Sequence, residues 1–123
     1  MAGDIGNGRP DGFDEEMLRE LAGLMGPDGI AAALDTFDAD LRQGLSGLEA
    51  ALAVRDGDAL RRHAHRVKGL LMQFGAMAAG ADAAAVESAH GDAAFESCPR
   101  LLASAPAAAS RLRAMAARLA SPG

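Results

Sequence analysis

His65, Lys68 and Gly69 stand one turn apart in the run R-R-H-A-H-R-V-K-G-L-L-M-Q-F-G-A that spans residues 61–76. An imidazole can act as a nucleophile and carry a group covalently, and near neutral pH much of it is unprotonated. If the carried group were phosphoryl, it would bring about −1.5 to −2 charges, as on other phosphorylated side chains. An ammonium one turn away would offset them. A glycine inside a helix costs roughly 0.5–1 kcal/mol relative to alanine, so Gly69 suggests that a partner surface approaches the backbone there.

Such chemistry needs an element that holds the three residues on one side. Read as an α-helix at about 100° per residue, the run places Leu60, Val67, Leu71 and Phe74 in one apolar stripe, with Ala64 and Leu70 on its flanks. That stripe is expected to be buried. His65, Lys68, Gly69 and Met72 then fall on the far side, as neighbours in space.

The run resembles the histidine phosphotransfer (HPt) domains of bacterial and plant phosphorelays. The resemblance rests on H-x-x-K-G at His65, Lys68 and Gly69, and on the apolar-Gly-Ala triplet Phe74, Gly75 and Ala76. It extends to the next helix, where the family commonly places a Glu or Gln twenty-two residues past the histidine; here that residue is Glu87. Leu70 departs from the family, which usually has a small residue after H-x-x-K-G.

The resemblance implies that His65 accepts a phosphoryl group at Nε2 from the aspartyl phosphate of a response-regulator receiver, or from a histidine kinase, and relays it to another receiver. Glu87 would hold the ring through Nδ1–H, as triad acids orient a histidine, while Lys68 steadies the phosphoryl oxygens and Gly69 leaves room. No cofactor is expected on this chain, because Mg²⁺ and most transition-state stabilisation would come from the receiver's acidic pocket. No Gly-rich nucleotide loop or kinase motif is found. A carrier rather than an enzyme is implied.

Composition sets the outer limits. A chain of 123 residues fits one domain with a helical core. Without Trp or Tyr, and with four Phe, β-rich folds are disfavoured. The formal net charge of −5 argues against nucleic acid as the main partner. Basic residues still gather at one place, since Arg55, Arg61, Arg62, Arg66 and Lys68 lie on or just before the central helix. This rim could steer an acidic partner, and Arg61, Arg62, Met72 and Gln73 are the candidate partner contacts. The bland reading of Arg55 and Arg66 is a solvated face.

A lone Cys98 permits no intrachain disulfide and suggests a reducing compartment; it reads as a small, semi-buried residue. No apolar run approaches the ~20 residues needed to span a bilayer, and no signal-peptide core is visible. A cytoplasmic monomer without membrane contact is therefore expected.

The expected fold is all-α: an up-and-down antiparallel four-helix bundle with an additional short N-terminal helix, over residues 13–121. Residues 1–12 read as a disordered tail or linker. The short helix runs from Phe13 to about Met25 through Met17, Leu21 and Leu24, and G-P-D-G at 26–29 ends it. Ile30, Leu34, Phe37, Leu41, Leu45, Leu48 and Leu52 mark the second, and Asp56 or Asp58 is placed to cap the third. The fourth, about Met77 to His90, is mostly alanine and can lie close against the third. Cys98-Pro99 falls in a poorly defined connection, and the last helix, to about Ala120, should be kinked or restarted at Pro106.

Duller roles compete. His63 points about 160° from His65 and reads as a packed, hydrogen-bonded side chain. That geometry disfavours a metal site, and His90 with Glu87 makes only two candidate ligands. A second functional reading is a helical interaction module that binds a receiver or another protein without carrying phosphate. The dimerisation domain of a sensor kinase is disfavoured because H-E-x-x-T/N-P is absent.

Overall fold

The computed structural model describes residues 12–120, which form four helices, α1 (Glu15–Ala53), α2 (Gly57–Gln73), α3 (Met77–Ser88) and α4 (Ala93–Ala120). Asp14 and Asp56 cap the first two, each carboxylate accepting from a backbone N–H three residues on, at 3.1 Å. Acidic residues in both first turns complement the helix dipoles. The tail assigned to residues 1–12 lies outside the described residues except for Gly12, whose carbonyl accepts from Ala78 N–H at 2.9 Å.

α1 packs on α2 and α4, and α3 packs on the same two, closing a four-membered ring. Neighbours run antiparallel. Gly44 meets Val67 while Gly47 meets His63, Asp35 and Asp38 pair with Arg113, and Arg55 lies over the Phe95 ring. The expected bundle is the one observed. No helix among the described residues is long and apolar enough to cross a membrane.

The short N-terminal helix is the first arm of α1, set off by a kink at Gly26 (φ 75°, ψ 171°) with Pro27 after it. Gly26 takes a left-handed φ that most residues avoid, and Pro27 has no N–H to continue the ladder. The stripe expected on this arm is corrected: Leu18 and Ala22 are buried, whereas Leu24 is 85% exposed. The reason is phase. Phe13 is buried ahead of the cap, in a bridge to Ala76 at the α2–α3 turn, so it does not share the rotation of the helix that starts at Glu15.

α4 departs from expectation in the same instructive way. It runs unbroken through Cys98-Pro99 and Pro106. Ala94, Cys98, Leu101, Ala105, Ala108, Leu112 and Met115 are buried and step by four and three along one face, with Ala116 buried beside them. Both prolines sit on the exposed side, so the face that packs is left intact and tertiary burial outweighs the proline cost. Cys98 is fully buried rather than semi-buried.

Candidate functional site

α2 owes its orientation to four buried residues, Leu60, Ala64, Val67 and Leu71. Leu70 is partly buried against the same core, beside the stripe rather than over the histidine. With that face inward, His65 is turned outward with its side chain 68% exposed. α3 can lie close to α2 because its facing surface is Ala79, Gly80, Ala83 and Val86, buried and mostly small. A Cβ on Gly80 would come within 2.7 Å of Met72 Cγ. Two turns along, that closeness brings Glu87 to His65.

Glu87 Oε2 stands 2.5 Å from His65 Nδ1, and Glu87 Oε1 stands 2.6 Å from Lys68 Nζ. One carboxylate therefore grips two residues of α2 a turn apart. The hydrogen bond from Lys68, and then that from His65, hold the Glu87 carboxyl below the ordinary carboxylate range. An ionised carboxylate has no proton to give, so the proton in the His65 contact belongs to Nδ1. In the neutral ring this leaves the lone pair on Nε2. Gly69 is exposed, and nothing lies within 4 Å of where its Cβ would be.

A family model of the Hpt domain matches residues 32–122. The chain belongs to the Hpt domain family. No curated protein and no solved structure matches it at a significant level. The matched span begins beyond the kink and takes in the long arm of α1, α2, α3 and α4, so the four helices that build the HPt bundle all contribute.

The remaining predicted residues of this HPt domain divide. Arg61, Arg62, His65 and Glu87 line one shallow open concavity. Arg61 is paired with Asp58 at 2.9 Å, while Arg62 is exposed and has no ionic partner among the described residues. Gln73 is exposed. Met72 is half-buried over Gly80, so it is in part a helix contact rather than an open docking residue. Arg66 reaches away from the site, donating to Gln43 Oε1 at 3.1 Å, and Arg55 pairs with Asp92 at 3.1 Å. His63 is wedged against Gly47 by shape, without a hydrogen bond to a described residue. Among the described residues no group of three His, Cys, Asp or Glu is placed to hold a metal.

Sequence reasoning missed two things. It assigned Lys68 to the phosphoryl group and did not see its ion pair with Glu87, although a residue three positions from His65 on the same face meets the same neighbour. It also gave Gly44 and Gly47 no part in the packing. They are the places where α2 side chains press into α1, and their spacing of three was the available signal.

Proposed function

We propose that this HPt domain carries a phosphoryl group on His65, taking it from the aspartyl phosphate of a receiver domain, or from a histidine kinase, and handing it to another receiver. Hpt domains serve phosphotransfer in two-component phosphorelays, acting with receivers and kinases as carriers. The observation that supports His65 as the carrier is the 2.5 Å contact of its Nδ1 with Glu87, on a ring otherwise turned to solvent.

In the transfer, the Nε2 lone pair forms the N–P bond while the P–O bond to the receiver aspartate breaks and its electron pair returns to the carboxylate. The Nδ1 proton stays on the ring. Nδ1–H donates to Glu87 throughout, so the positive charge that develops on the phosphorylated ring lies against an anion. Mg²⁺ belongs to the receiver's acidic pocket in this reading. Gly69 gives the receiver backbone room beside the reacting nitrogen.

Incubation with a phosphorylated receiver and Mg²⁺ is expected to label the chain with acid-labile phosphate, and the label is expected to vanish in His65→Gln. Labelling that survives in that variant would place the phosphoryl group elsewhere. Receiver binding without labelling in the unsubstituted chain would favour the interaction-module reading.

A further inference from the structure

A phosphoryl group on His65 would add about −1.5 to −2 charges beside a carboxylate that is already there. Four cations on α2 are near enough in sequence to answer it, and three are committed. Lys68 is held by Glu87 at 2.6 Å. Were its ammonium to move to the phosphoryl oxygens, Glu87 would lose one of its two partners, keeping only the His65 Nδ1–H, and its second oxygen would face a dianion of like charge. Arg61 is paired with Asp58 at 2.9 Å. Arg66 leans toward α1, with Gln43 at 3.1 Å and Asp40 at 3.8 Å.

Arg62 is the exception. It is exposed, makes no ion pair with a described residue, and lines the open concavity with His65, whereas Lys68 does not. Helical side chains lean toward the N-terminus of their helix, so His65 overlies the turn that carries Arg62, one turn back on the same face. A guanidinium can also present two parallel N–H donors to two phosphoryl oxygens, which an ammonium does not. Resting on the carrier reading, we infer that Arg62 binds the phosphoryl oxygens on His65, and that Lys68 is a positioning residue whose task is to hold Glu87 against the ring.

The test uses phosphoramidate as a small donor, so that no receiver surface is involved. The Nε2 lone pair of His65 attacks phosphorus, the P–N bond of the donor breaks, and ammonia leaves with the electron pair. The second ionisation of the resulting phosphoryl group is then followed by ³¹P NMR in the full chain. A cation bound to the phosphoryl group favours its dianion, so Arg62→Gln is expected to raise that ionisation by about half a unit or more, and Lys68→Gln to raise it less. Arg62→Gln removes no described hydrogen bond or ion pair, so the fold is expected to persist. An unchanged ionisation in Arg62→Gln, or an equal or larger shift in Lys68→Gln, would overturn the assignment while leaving the carrier intact. Absence of any phosphohistidine signal that depends on His65 would instead overturn the carrier reading, and this inference with it.

Discussion

Gly69 lies inside the second half of α2, with open space where a side chain would stand. A helix gains roughly 0.5–1 kcal/mol when such a glycine becomes alanine. Gly69→Ala is therefore expected to raise stability by about that amount, read from the denaturant midpoint, while slowing transfer from a phosphorylated receiver. Labelling by the small donor phosphoramidate should be unaffected, because the added methyl obstructs a protein surface and not the imidazole. Equal slowing with both donors would remove the clearance role. At this scale much of the site was readable in advance. His65, Lys68 and Gly69 follow from helical spacing, and Glu87 from the resemblance. The Lys68–Glu87 pair was not, because a cation beside a nucleophile was matched to the absent phosphoryl group before the neighbouring anion was considered. Met72 was misjudged for a related reason: its exposure depends on Gly80, a residue of another helix.

Between helices, the same substitution is expected to act in the opposite direction. A Cβ on Gly44 would stand 2.8 Å from a Val67 methyl group, and a β-branched side chain has little freedom to swing aside. Overpacking of a core typically costs ~1–3 kcal/mol, against the roughly 0.5–1 kcal/mol that alanine brings to the helix. Gly44→Ala is expected to lower stability by about 1 kcal/mol, and the loss should shrink when Val67→Ala is added, a coupling that a double-mutant cycle in denaturant would measure. Simple additivity would mean that the two residues do not press on each other. The helices themselves were largely legible from their apolar periodicity, and the kink of α1 from Gly26-Pro27. Where sequence reasoning failed was the phase of the first arm and the continuity of α4. Both depend on partners distant in sequence: Ala76 draws Phe13 out of helical phase, and a continuous buried face carries α4 past two prolines.

For the bundle as a whole, Cys98 reports on integrity. It is fully buried, and desolvation, with a smaller contribution from Glu49, raises its thiol above the ordinary value of 9.0. A folded-state value above the unfolded one favours the fold below the unfolded thiol range and loses that contribution as pH rises through the folded value. Stability is expected to decline across this alkaline window more steeply in the unsubstituted chain than in Cys98→Ala, with denaturation midpoints against pH as the readout. Parallel curves would mean that the thiol ionises equally in both states. The charge of the molecule is likewise uneven, with a formal net charge of −5 and, beside His65, Arg62 without an ionic partner among the described residues. The grip of Glu87 on two α2 residues has a last consequence. A slip of α3 by one residue would move Glu87 about 1.5 Å along its axis and about 100° around it, releasing imidazole and ammonium together. The imidazole would then lose its fixed tautomer at the same moment that α3 lost its register. On the carrier reading, a bundle slipped in this way would lose its fixed imidazole tautomer before it lost its helices.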